Sequence, residues 1–274
     1  MTISSNMLTE GVESILRTVL DSGTGEVLVV DPTSDVIDTL VTVASEHDGD
    51  LPEMRLVADE STLKEVMDDF IVASNAADLV DEGSLSMRTS GDRAENALLV
   101  TDEAVVSLVT AGDHVAGLVT TDEEFVEAAR GTYTTMWEEA PEYKLRTPPI
   151  TQVRASLETE ISPDARTDFD AVLSSLQTAR GDGDGLDEVT ISLLVAAKNE
   201  VLLYDISKWG EDVGIASKAT FSRTKTKLEE MGLIATEKVP IDVGRPRLRL
   251  KLGEDRLVNS DPDQLAGVAQ SLLT

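Results

Sequence analysis

Residues 205–251 read DISKWGEDVGIASKATFSRTKTKLEEMGLIATEKVPIDVGRPRLRLK, and the spacing of caps, apolar positions and glycines in this stretch predicts a helix, a tight turn, a second helix and a hairpin. Asp205 caps a short helix over 206–213, Gly214 supplies its left-handed stop, and Ile215 fills the turn. Ser217 caps a second helix that reaches Met231, and Gly232 ends it. Phe221, Thr224, Leu228 and Met231 recur at intervals of three and four, so they share the face that packs inward. The opposite face carries Lys218, Ala219, Ser222, Arg223 and Thr226, with Ser217 at its start. Such side chains on the N-terminal half of a helix suit base edges in a major groove, and Lys225 and Lys227 on the flanks suit phosphates.

Beyond this helix, residues 233–239 form a short strand, Pro240 to Gly244 a turn, and Arg247-Leu248-Arg249-Leu250-Lys251-Leu252 alternates as a strand with one buried face does. The pair makes a wing, and Arg245 and Arg247 at its tip are placed to reach flanking phosphates or the minor groove. Between Ala216 and Lys251 there are nine Lys and Arg against four Asp and Glu, a net of +5 in a chain whose formal net charge is −29. Cations are therefore gathered on the elements that a winged helix-turn-helix presents to a duplex. The competing reading is a winged helix used for protein contacts, an adaptor within transcription assemblies.

Taken together, the acidic α/β front half, Pro148-Pro149, the run SKATFSRTKTKLEEMGLI and the run GRPRLRLKLG resemble the TbsP family of haloarchaeal transcriptional regulators. The likeness extends over nearly the whole chain. It implies a promoter-binding regulator of central sugar metabolism genes that works alongside a TrmB-type regulator. It implies no particular ligand, and only the roles of the helix-turn-helix residues carry over.

Composition narrows the class independently. Aromatic residues make up 3% of the 274, which leaves few rings for stacking on unpaired bases, so the target is double-stranded DNA. The chain has no cysteine, hence no disulfide, no Cys-based zinc site and no thiol nucleophile. The opening MTISSNMLTEG lacks the features of a signal peptide, and no apolar run is long enough for a membrane span, so a cytoplasmic protein is expected. A sequence pI near 4.2 with a basic patch fits a halophilic archaeon's acidic proteome, in which molar salt screens self-repulsion. At such salt counterion release adds little affinity, so base contacts and a homodimer are expected to contribute.

The front half reads as a mixed-sheet N-terminal α/β domain over 1–140. Met7 to Leu20 has the spacing of an amphipathic helix. Strands follow at 26–31, 54–59 and 85–89, with helices from Ser34 to about Glu46 and from Glu60 to about Ala76. Three more strands, at 97–101, 104–110 and 115–120, are joined by short turns and predict an antiparallel meander. Thr121-Asp122-Glu123-Glu124 is a capping box for a helix through Trp137. Several strands end in Asp, Ser or Thr, and ligands of open α/β sheets bind at strand carboxyl ends. Thr33, Ser34, Ser61, Thr101 and Thr121 are accordingly the candidates for a small-molecule effector pocket, although the same residue types are the preferred helix caps.

A linker with two amphipathic helices occupies 141–185. Its stripes, Ile150, Val153, Leu157, Ile161 and Ala165, Phe169, Val172, Leu173, Leu176, are suited to bridging domains or to a dimer interface. The break at 180–185 contains DGDG but lacks the later ligands of a calcium loop. The winged helix-turn-helix spans 186–254, with a first helix at 187–199 and a wing strand at 201–203, and a C-terminal helical segment occupies 255–274. No catalytic or cofactor motif stands out. His47 and His114 have no metal spacing, and Gly23-Thr24-Gly25 precedes a strand instead of following one, unlike a phosphate loop. The mixed sheet and FVEAARGTYTTMWEEAP resemble the phospholipase D-like sensors of some archaeal regulators, without the His-x-Lys signature that hydrolysis needs. An enzyme is not expected.

Overall fold

The computed structural model describes residues 6–9, 11–22, 25–91, 96–112, 114–176, 178–180, 186–241 and 246–273. The chain forms two compact units, Met1–Asp68 with Asn75–Leu145, and Asp69–Ser74 with Arg146–Thr274. Gly23-Thr24, the Gly181–Gly185 break and the wing-tip residues Gly244 and Arg245 lie outside the described residues.

In the first unit, β1 (Asn6–Thr9) precedes α1 (Val12–Ser22), β2 (Glu26–Val30) and α2 (Ser34–Ser45). Then come β3 (Glu53–Ala58), α3 (Glu60–Met67), α4 (Phe70–Asp81) and β4 (Leu85–Thr89). Next are β5 (Leu98–Val100), β6 (Val105–Ala111), β7 (His114–Thr120) and α5 (Glu123–Glu139). The seven-stranded sheet has the order β1-β7-β6-β5-β2-β3-β4. Strands β2, β3 and β4 are parallel, because helices carry each crossover. Short turns make β5–β7 antiparallel, and β5 meets β2 antiparallel, so the sheet is mixed as predicted. One face of β2 places Leu28 and Val30 beneath α5, with Val57, Val100, Val105 and Val126.

Two sequence expectations fail here for stated reasons. Residues 6–9 are a strand instead of the start of a helix, because they pair with β7 in the register Met7↔Gly117. The helix expected from Glu60 to Ala76 breaks at Asp68-Asp69, where the Asp69 carboxylate accepts from the Ile71 N–H at 2.9 Å and starts α4. The stretch after α5 is not a free linker. Thr89 N–H donates to Pro141 O and Tyr143 N–H to Met87 O, each at 2.9 Å, which covers the β4 edge. Arg88 lies over the Trp137 ring at 3.8 Å and donates to the Trp137 and Glu138 carbonyls at 2.8 and 2.7 Å, closing the end of α5.

The second unit contains α6 (Ile150–Glu160), α7 (Pro163–Ser175), α8 (Glu188–Lys198), α9 (Leu203–Val213) and α10 (Lys218–Glu230). A two-stranded wing, β8 (Ile234–Val239) and β9 (Arg247–Leu252), follows, then α11 (Asp255–Val258) and α12 (Pro262–Leu273). Most of the α6 and α7 stripes are buried in one core with Leu194, Trp209, Phe221 and Leu265, and Ile161 and Leu176 are half-buried against it, so these stripes are largely used within the unit. Phe70 belongs to that core too, held by Asp69, which is 3% exposed. Besides Ile71, Asp69 takes hydrogen bonds from the Thr178 hydroxyl and, at 3.2 Å, from the Ala179 N–H. Six residues from the middle of the sheet region's sequence thus complete the C-terminal core.

Candidate nucleic-acid interface

Helix α9 begins three residues earlier than its spacing predicts. Leu202 forms a β-bridge with Arg249, the chain turns helical at Leu203, and Asp205 sits in the first turn instead of capping it. The expected strand over 201–203 is reduced to this bridge. Gly214 ends α9 with φ +94°, a region that costs glycine little, and Gly232 follows α10 with φ +76°. Gly210 has a different reason to be glycine. A Cβ there would lie 2.3 Å from two ring atoms of the buried Phe221, so its absence sets how closely α9 and α10 approach.

Ser217 caps α10 by accepting from the Thr220 N–H at 3.2 Å. Phe221 and Leu228 are buried beneath it, while Met231, expected on the same face, is exposed. The solvent face presents Ser217, Lys218, Ala219, Ser222, Arg223, Thr226 and Lys227. Thr226 spends its hydroxyl proton on the Ser222 carbonyl at 3.0 Å, as helical threonines do. Arg223 donates to the Thr220 hydroxyl at 3.4 Å.

The cations fall into three groups. Lys218 is bound to the Glu211 carboxylate, Lys225 to Glu229 at 2.6 Å and Lys251 to Glu237 at 2.8 Å. Arg247 and Arg249 are held loosely, at 3.5 Å from Asp205 and 3.9 Å from Glu200. Arg223, Lys227 and Lys238 make no ion pair among the described residues. Lys225 does not stand on the open flank that its spacing predicts: its side chain is 12% exposed, and Glu229 also takes the Thr236 hydroxyl at 2.6 Å, so the pair ties α10 to β8.

These contacts perturb the groups concerned. The Lys218 hydrogen bonds hold Glu211 below the usual carboxylate range and Glu211 raises Lys218. Burial pushes Glu229 up, but the bonds from Lys225 and Thr236 outweigh it and leave it lowered. An ion pair as exposed as Lys218–Glu211 is weakened by solvent screening, so phosphates can compete for the cation. Helical i,i+4 spacing is enough to pair Lys225 with Glu229, whereas Glu211 and Lys218 meet only across the turn and Glu237 and Lys251 only across the two strands of the wing.

The five effector candidates do not converge. Thr33, Ser34 and Ser61 lie past the carboxyl ends of the parallel strands β2 and β3. Thr101 follows Val100, which pairs with Leu28, and Thr121 follows Thr120, the partner of Val105, so both lie at the opposite end of the sheet. Antiparallel pairing sends alternate carboxyl ends to opposite edges. Local bonds occupy several hydroxyls: Ser34 donates to Glu65 at 3.2 Å, Ser61 to Asp59, and Thr101 to the Ala104 carbonyl at 3.2 Å. Asp122, not Thr121, is the cap of α5. Of these candidates Thr121 lines a concavity, one of about 780 Å³ shared with Asp102, Glu103 and Arg130, and a more apolar groove of about 670 Å³ lies between α5 and β5–β7 with Leu98, Leu118, Phe125 and Tyr133 on its walls.

Comparison with known proteins gives the frame for this geometry. The model for the TbsP-like transcriptional regulator N-terminal region matches residues 4–148, and that for the TbsP-like C-terminal helix-turn-helix domain matches 149–270. No curated protein matches the chain. Among solved structures, TrmBL2, an archaeal chromatin protein, is similar at 15% identity and a TM-score of 0.38, over 52% of this chain and 55% of that one. The phospholipase D family member Nuc from Salmonella typhimurium is similar at 12% identity and a TM-score of 0.35, over 51% and 99%. NucT from Helicobacter pylori is similar at 14% and 0.36, over 50% and 98%. No described helix is long and apolar enough to cross a membrane.

Proposed function

The chain belongs to the TbsP-like transcriptional regulators, DNA-binding proteins with a C-terminal helix-turn-helix, and from that premise we propose that it reads promoters of central sugar metabolism genes in the cytoplasm of a halophilic archaeon. The observation that carries the reading is the exposed ridge from Ser217 to Lys227, which bears Arg223 and Lys227 without carboxylate partners among the described residues, in a chain of net charge −29. Ser222 and Arg223 contact base edges. Lys218, Lys227, Arg245 and Arg247 contact phosphates, and Lys225 supports the helix from behind. A homodimer supplies the second half-site, a small effector enters the groove beside α5, and a TrmB-type regulator acts at the same promoters.

Chromatin pull-down and sequencing tests this directly. Arg223→Ala is expected to relax base preference by about 1–3 kcal/mol at the position it reads. A motif that survives this substitution unchanged refutes the assignment. The close carboxylate partners of Lys218, Lys225 and Lys251 favour one alternative, an adaptor whose winged helix meets protein. Its pull-down peaks would vanish when the partner regulator is deleted.

A further inference from the structure

We propose that Tyr204 is a positioning residue for DNA binding, a ring platform that holds the Arg247 guanidinium ready for a backbone phosphate. The inference rests on the DNA-binding reading and adds a residue to it. Tyr204 lies in the first turn of α9 and is 48% exposed, one of only three tyrosines in the chain. The carbon at the centre of the Arg247 guanidinium lies 4.3 Å from the centroid of its ring, well inside cation–π range. The bridge between Leu202 and Arg249 fixes the strand that carries Arg247 beside the helix that carries Tyr204. The stack therefore joins two backbone-anchored elements.

The kind of partner decides what each cation can still do. A carboxylate at 2.6–2.8 Å, as on Lys225 and Lys251, cancels the charge and takes up a donor. A ring takes only the face of the guanidinium. Among the described residues, Arg247 Nη1 donates to the Asp205 carboxylate at a long 3.5 Å, and the remaining in-plane N–H groups are left for a phosphate, for which the half-exposed Asp205 can be exchanged. Tyr204 thereby keeps one long side chain ordered before DNA arrives, and it draws a line of contact from the first helix of the motif to the wing.

Anisotropy titration of the full chain with a labelled duplex of mixed sequence, over a series of KCl concentrations, tests this. Tyr204→Ala is expected to weaken binding about 3- to 10-fold and to flatten the log–log salt slope by up to about 1, and Tyr204→Phe to retain wild-type behaviour. In an Arg247→Ala background Tyr204→Ala should add nothing, a non-additivity that a general loss of folding would not produce. Duplex binding by the wild type with Tyr204→Ala unchanged, or with additive losses in the double variant, overturns the proposal alone. A wild type that holds no duplex overturns the DNA-binding reading with it.

Discussion

Replacing Glu211 by Gln should strengthen binding to DNA, although the substitution destroys a hydrogen-bonded ion pair. Each phosphate neutralised by a lysine or arginine contributes about −0.9 to the slope of log K against log salt. A cation that leaves a carboxylate for a phosphate exposes that carboxylate, which takes up a counter-cation and cancels the gain. Of the eight described cations between Lys218 and Lys251, three are unpaired and two loosely held. The expected slope per protomer is therefore about −3 to −4.5, against about −7 if all eight release freely. Arg245 adds at most one further phosphate. Glu211→Gln frees Lys218, so the slope should steepen by about 0.9 and affinity at low salt should rise. Fluorescence anisotropy over a KCl series measures both quantities. A wild-type slope near −7, or an unchanged slope in Glu211→Gln, refutes the view that the carboxylates hold these cations back.

Gly210→Ala places a methyl group against the Phe221 ring and should cost about 2 kcal/mol, read as a lower Tm; an unaltered melt contradicts the packing argument. Asp69→Ala leaves the Ala179 N–H and the Thr178 hydroxyl without their acceptor and should cost about 3 kcal/mol by denaturant unfolding. A fragment starting at Arg146 lacks both Asp69 and Phe70, so it should melt well below the same unit in the full chain; equal melting refutes their structural role. Glu229 has a lowered folded pKa, so its stabilising effect is present above the ordinary glutamate value of 4.5 and is lost as pH falls through the folded value below it. The stability gap between wild type and Glu229→Gln should close in that acid window, and a gap constant with pH would count against the pairing.

The helix-turn-helix was legible because its signals are local. Ser217 as a cap, Gly214 and Gly232 as left-handed stops, and the alternation from Arg247 to Leu252 each need only near neighbours in sequence. The mixed sheet was legible from turn lengths. What stayed hidden depends on partners far along the chain: β1 is a strand because β7 lies beside it, and Asp69 breaks a helix while bonding to Thr178 and Ala179. The apolar stripes of α6 and α7 showed that something covers them without showing what. The effector candidates failed to converge because residue type marks a strand end, whereas only strand direction says which edge that end reaches. Tyr204 carried no periodic signal, and its role depends on a ring-to-guanidinium contact made across the bridge at Leu202.

The placement of Asp69–Ser74 also bears on how the protein is born. On the ribosome these six residues emerge long before the helices they serve, with 195 positions separating Ser74 from Ala269 of the last one. At about 5–20 residues per second the hydrophobic Phe70 must wait roughly 10–40 s for its partners. The front half of the nascent chain therefore matures with one apolar turn still unsheltered, and the DNA-reading end closes over it last.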